Sequence, residues 1–169
     1  MGMPSKLKNH NLYLDGQTHI GIVGEVTIPK LVLKMEEWRG GGMLGPIMID
    51  NGLDKIEVEF ALGGLMSSAI RQFGATRHDA VLLRHNGAYQ EDGTGAVQAA
   101  EVICRGRYSE LDFGNQKPGD DTEHKSKMAC SYYKLSVDGQ VWFEIDLLNA
   151  VFIVFGIDRY AEIRAALGN

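Results

Sequence analysis

Asp138-Gly139 is a strong two-residue hairpin signal, because a type I′ turn needs positive φ at both central residues. It sits inside the chain's most constraining stretch, Thr122 to Leu167. Folding about it sets Leu135 opposite Trp142, Tyr133 opposite Glu144 and Tyr132 opposite Ile145. One face of the expected hairpin then carries Tyr133, Leu135, Val137 and Trp142. The other carries Met128, Cys130, Tyr132, Val141, Phe143 and Ile145. A sheet wetted on one side alternates between apolar and polar residues, and this one does not. Both faces call for cover that one chain of 169 residues can hardly supply alone, so the expectation is assembly.

The rest of the chain reads as further short strands in one domain, residues 1–169, without internal repeats or linkers. A strand from Asn11 to Leu14 turns at Asp15-Gly16 into a second, Thr18 to Thr27, and Pro29 marks a strand end. Leu31, Leu33 and Met35 alternate with Val32, Lys34 and Glu36 in a third strand that runs into Trp38. Arg39 to Gly52, with five glycines and one proline, reads as a loop. The cleanest period of two follows: Ile56, Val58, Phe60 and Leu62 face one way, and Lys55, Glu57 and Glu59 the other. Met66 to Phe73 predicts a short helix ended by Gly74. Ala80 to Tyr89 returns to strand, with a bulge expected at Asn86-Gly87 and a turn at Asp92-Gly93-Thr94-Gly95. Long strands from Val97 to Phe113 and Glu123 to Val137 flank a polar loop, and a closing helix is expected from Asp158 as N-cap.

Catalytic chemistry finds little purchase. Gly40, Gly42 and Gly45 satisfy the G-x-G-x-x-G spacing, but that fingerprint works only between a buried strand and a helix. Here Lys34 to Arg39 precedes it and Pro46 to Asp50 follows, which are neither. His10, His19, His78, His85 and His124 lack metal-ligand spacing, and Ser67-Ser68 has no nucleophile elbow. Asp112, Asp120, Asp121 and Glu123 read as a solvated loop tip. Cys104 and Cys130 could come close if their strands pair, but they read as buried reduced thiols. No enzyme activity, cofactor or metal is expected. Hydrophobic residues at 44%, charged residues at 23% and a net charge of −5 suit a globular protein with no basic footprint for nucleic acid. Met1 to Lys8 has no apolar core, and Leu147 to Phe155 falls far short of a membrane span of ~20 residues, so neither a signal peptide nor membrane anchoring is expected.

What the loop at Arg39 to Leu53 offers instead is stickiness. Met43, Leu44, Ile47, Met48 and Ile49 are carried on a glycine-softened segment, which should dock on something.

A resemblance gives that expectation a name. Tyr132-Tyr133-Lys134-Leu135, Asp138-Gly139, Glu144-Ile145-Asp146, Asn149 and Gly156-Ile157-Asp158-Arg159 resemble the C-terminal signature of the major tail tube protein of contractile-tailed phages and R-type tailocins (pyocins). Asn11-Leu12-Tyr13-Leu14-Asp15-Gly16, Ile28-Pro29-Lys30-Leu31, Glu37, Arg39-Gly40-Gly41-Gly42-Met43, Pro46, Asp50, Gly52-Leu53 and Arg105-Gly106 match in the same order. Phe155 departs from the pattern, standing where the family usually places Asn.

The resemblance implies a mainly β fold, two packed antiparallel sheets in a barrel- or sandwich-like arrangement with one or two short helices. It implies a structural subunit whose hexameric rings stack into a hollow tube, with sheath, baseplate or spike hub and tube terminator proteins as partners. It also implies a place in the virion tail or bacteriocin particle, assembled in the host cytoplasm, with DNA passing transiently through the tube of a phage. The expected contact residues are Arg39, Gly40, Gly41, Gly42, Met43, Leu44, Pro46, Ile47, Met48, Ile49, Asp50 and Leu53, with Arg39 and Asp50 as ion-pair partners across subunits. Glu57 and Glu59 are candidate lumen-facing residues: six copies of a chain of net charge −5 carry −30, and an acidic wall repels phosphates. Two alternatives stand beside this reading, a DNA-free bacteriocin tube and a monomeric β-barrel that binds a small apolar ligand.

Overall fold

The computed structural model describes residues 2–168. In chain order the strands are β1 (Ser5–Leu14), β2 (Gln17–Thr18), β3 (Val23–Thr27), β4 (Leu33–Trp38), β5 (Ile47–Leu53) and β6 (Ile56–Leu62). They continue with β7 (Val81–Glu91), β8 (Val97–Asp112), β9 (His124–Val137), β10 (Gln140–Asp146), β11 (Val151–Val154) and β12 (Ile157–Asp158), before one helix, α1 (Ala161–Ala166). The fold is mainly β, as expected. Ten strands form an antiparallel sheet in the order β12-β11-β10-β9-β8-β7-β1-β2, with β6 and β3 branching from β9. The branch arises because β9 is shared along its length: residues 124–130 pair with β6 and residues 132–137 with β10. β4 and β5 make a separate two-stranded sheet.

The inward faces converge on one core. Leu12 and Leu14 of β1 meet Ile56, Val58, Phe60 and Leu62 of β6, Leu83 of β7, Val102 of β8 and Met128 of β9, all buried. The period of two read in β6 holds, with Glu57 and Glu59 half-exposed on the opposite side.

One bulge takes the C-terminal hairpin out of its expected register, and two more interrupt the neighbouring β8–β9 ladder. The turn is at Asp138-Gly139 with φ of 50° and 80°. Trp142 is an extra residue on β10, however, so Phe143 faces Leu135, Ile145 faces Tyr133 and Asp146 faces Tyr132. On β9, Ser131 is likewise extra against β8, between the pairs Gly106–Cys130 and Arg105–Tyr132. On β8, Ser109 is extra between the pairs Tyr108–Met128 and Glu110–Lys127. One inserted residue reverses the face of everything beyond it. Met128, Cys130 and Ile145 therefore share the core with Tyr133 and Val137, although strict alternation puts the two sets on opposite faces. Most of the apolar surface that argued for outside cover is covered from within.

Other expectations need smaller corrections. Met66–Phe73 is not a helix beyond a single 3₁₀ turn, Ser67–Ala69. Eight residues are too few to nucleate a helix unaided, and the Ser68 hydroxyl is tied to His19. Thr18 to Thr27 is broken into β2 and β3. The bulge expected at Asn86-Gly87 lies on the neighbouring strand, at Lys8, between the pairs of Leu7 and Asn9. Gly87 serves close approach instead, since a Cβ there would sit 3.0 Å from Leu7 Cδ1 and 3.1 Å from Tyr89 Cε2. α1 starts at Ala161 with Tyr160 as N-cap. Asp158 lies on β12, where its carboxylate accepts the Tyr160 N–H at 3.1 Å. The expected loop is a loop only from Arg39 to Pro46, because Ile47–Leu53 is strand β5.

Candidate assembly surface

Among the described residues β4 and β5 pair only with each other, through Leu33–Leu53, Met35–Asp50, Glu36–Ile49, Glu37–Met48 and Trp38–Ile47. The hairpin is anchored at its root, where the Asp54 N–H donates to Val32 O at 2.8 Å and Leu53 packs against the core. Above the root every residue of β4 is exposed, and so is every residue of β5 before Leu53. A two-stranded hairpin is marginally stable in water on its own. This one also presents Trp38 at 56%, Ile47 at 54% and Met48 at 55% exposure. Such a projecting apolar surface is the mark of an interaction site.

Its tip is a small preformed turn. Gly42 takes φ +81°, and Met43 folds back so that its Sδ accepts the Gly40 N–H at 3.0 Å. Leu44 is left 100% exposed at the crest. Of the expected contact residues, Arg39 to Pro46 form the turn and Ile47 to Asp50 lie on β5. Leu53 is half-buried at the root, where it anchors the arm. Arg39 and Asp50 are not joined within the chain: the Asp50 carboxylate accepts the Gly52 N–H at 2.7 Å, and Arg39 makes no ion pair among the described residues.

Sequence reading missed the other half of this surface. Leu33, Met35 and Trp38 of β4 are as exposed as the β5 residues, and strand alternation alone does not say that both faces are bare. An apolar groove of about 480 Å³ opens beside the hairpin root, walled by Leu33, Asp50 and Leu53 on one side and by Leu147, Phe152 and Ile163 on the other. Its walls lie about a hundred residues apart in sequence, so no local motif announces it. The one available signal was the apolar run Leu147 to Phe155 followed by the stripe of Tyr160 and Ile163. α1 is clamped beside the groove by Arg164, which donates to Ala150 O at 3.0 Å and pairs with the Asp158 carboxylate. That pairing lowers the Asp158 carboxyl and raises the Arg164 guanidinium from their ordinary values.

Glu57 and Glu59 lie on the side of the sheet away from the core, beside cations. Lys55 Nζ is 3.5 Å from Glu57. Glu59 pairs in register with Lys127, which in turn lies 3.7 Å from Glu110. The row across β6, β9 and β8 thus alternates acid, base, acid.

Three side-chain pairs have forms that chemistry could use. His19 Nδ1 donates to Gln17 O at 3.0 Å and Nε2 accepts the Ser68 hydroxyl at 2.7 Å. His19 is 1% exposed, so the pair is a clasp between β2 and the 3₁₀ turn with no room for a substrate at the imidazole. His10 Nδ1 and His85 Nε2 are 3.1 Å apart across β1 and β7. Burial, and beside it the neighbouring His10, pull His85 down to about 4, so the His85 ring is neutral at pH 7. Cys104 and Cys130 are free and buried. Its hydrogen bond to Cys130, and then burial, hold the Cys104 thiol well above its ordinary range. Cys130 pairs with Gly106 and Cys104 with Tyr133, so the two are diagonal neighbours across β8 and β9. No group of three potential metal ligands occurs among the described residues.

An antiparallel β body with a projecting, exposed apolar hairpin and no catalytic constellation among the described residues belongs with structural β proteins. Comparison with known proteins then narrows the class. The sequence model of the family described as phage tail tube protein FII matches residues 4–168. The chain is 43% identical over 171 residues to the tail tube protein of Escherichia phage P2, with 99% of both chains covered. It is 40% identical over 171 residues to the major tail tube protein of Serratia phage KSP20, covering 99% of this chain and 98% of the relative. The chain belongs to the phage tail tube protein FII family. Solved structures agree at the level of fold. The sheath/tube terminator of the PVC extracellular contractile injection system superposes with a TM-score of 0.59 at 8% identity, covering 79% of this chain and 96% of that one. The PVC sheath-tube complex does so with a TM-score of 0.56 at 8% identity, covering 79% and 91%.

Proposed function

We propose that this structural tail tube subunit forms hexameric rings that stack into a hollow, rigid tube. A contracting sheath drives that tube through a bacterial envelope, and in a phage it conducts DNA. The rings are assembled in the host cytoplasm and serve in the virion tail, with sheath, baseplate hub and terminator proteins as neighbours. The β4–β5 arm is the observation that carries the reading. Covering each of its half-exposed Trp, Met, Ile and Leu side chains is worth roughly 1 kcal/mol or more at ~25 cal/mol/Å², whereas a screened surface ion pair gives ~0–1 kcal/mol. The arm therefore docks on neighbouring subunits mainly through its apolar residues.

The open edges of the sheet support ring closure. β3 and the N-terminal half of β1 have one unpaired side each, and joining such edges between copies removes them. With the face of Glu57 and Glu59 turned inward, each would repeat six times around the lumen. Lys55, Lys127 and Glu110 beside them make that wall mixed in sign, so repulsion of DNA rests on the ring's summed charge more than on those two residues.

Replacing Met43, Met48 and Ile49 together by Asp tests the reading. The expected result is a monomer with wild-type circular dichroism and no tubes in electron micrographs. Long tubes from the triple variant would show that the arm is not the stacking contact.

A further inference from the structure

Resting on the tube reading, we propose that the groove at the hairpin root receives the hairpin tip of another copy, Leu44 inserting into it and Arg39 reaching Asp50. The chain cannot fill this groove with its own tip. β4 has six residues, which at ~3.3 Å each hold the tip about 20 Å from the root. A second copy displaced along the arm meets no such limit. Shape suits the match: Leu44 is a lone, fully exposed knob, and about 480 Å³ is room for it with a flanking tip residue. The lining of Leu33, Leu53, Phe152 and Ile163 is apolar, as a leucine requires.

Charge suits it as well. From Arg39 through Ile49 the arm carries one charged residue, the cation Arg39. The groove presents Asp50, Asp146 and Arg159. The Asp146 carboxylate is taken up by the N–H groups of Leu148 and Asn149, both at 3.1 Å. Asp50 is left with one N–H donor, Gly52, and capacity for a guanidinium. Knob and hole are different surfaces of the same chain, so the contact is head-to-tail, and between rings displaced along the tube axis it propagates without closing. A tube built on it grows with one end showing free tips and the other free grooves.

Tubes of a Leu44→Cys/Leu147→Cys variant, treated with a short bismaleimide, test the contact directly. The native thiols are buried, so a ladder of covalent dimers, trimers and longer chains is expected from the double variant, and monomers from each single variant. Intact tubes whose double variant stays monomeric would overturn the groove assignment while leaving the tube reading in place. Absence of tubes from the wild-type chain would overturn the tube reading itself. Charge reversal gives a second readout that needs no cysteine. Arg39→Asp and Asp50→Arg should each cut tube yield by up to about fivefold, and the two together should recover most of it. Yields unchanged by either single reversal, or a small apolar molecule found in the groove of uncrosslinked tubes, would also overturn the assignment.

Discussion

Gly106 has the least room for a side chain of any glycine in the chain. A Cβ there would lie 2.2 Å from Ala129 O and 2.9 Å from Cys130 Cα. Those are backbone atoms of β9 beside the Ser131 bulge, and they cannot yield without breaking the β8–β9 ladder. Gly106→Ala should cost about 3 kcal/mol or more, read as a lowered urea midpoint. Gly64→Ala, with open space around it, should stay within about 1 kcal/mol of wild type. Equal midpoints for the two would refute the close approach. The Arg105-Gly106 pair was visible in the sequence, but its reason was not, because the clash depends on a bulge in another strand. Turns divide the same way. Asp15-Gly16 and Asp138-Gly139 were readable, since both pairs take positive φ in residues suited to it. Phe155-Gly156 makes an equivalent turn between β11 and β12, with φ of 48° and 79°. Phenylalanine hides it. The backbone explains why Asn fits there in the resembled family, and Phe155 is held by its ring lying 5.5 Å from Trp142.

At the scale of elements, periodicity found strands well wherever the ladder is regular. β6 was legible residue by residue, because its alternation is unbroken from Ile56 to Phe60. β9 and β10 were legible as strands and not as faces, since the extra residues Ser131 and Trp142 leave no mark on composition. β5 was lost to its own chemistry: Pro46 before it and Gly52 within it read as loop, and its partner strand is equally exposed. That exposure carries a prediction about dynamics. The arm contacts solvent on both faces and is fixed only at its root, so its backbone hydrogen bonds should open at nearly no free-energy cost in the monomer. Amides of Met35 to Trp38 and Ile47 to Ile49 should exchange within seconds, while those of β8 and β9 persist with the global stability. Assembled tubes should protect the arm by at least a hundredfold. An arm already protected in the monomer would mean that the chain covers it alone, and the case for docking through it would be lost.

The whole molecule sets apolar attraction against like-charge repulsion. Each copy carries −5, so bringing many copies together raises the electrostatic cost of assembly with every ring. Salt separates the two contributions. The screening length falls from ~10 Å at 0.1 M to ~3 Å at 1 M, which removes repulsion between whole subunits but leaves burial of Leu44, Met48 and Trp38 intact. The same screening weakens an Arg39–Asp50 contact, but an exposed pair has at most about 1 kcal/mol to lose. Repulsion is summed over every neighbour and the pair acts once per contact, so salt should favour assembly. The protein concentration at which tubes first form, measured by light scattering and checked by microscopy, should fall several-fold between about 0.05 and 0.5 M sodium chloride. A threshold that rises over that range would mean that attraction between charges, not cover for the apolar arm, holds the copies together.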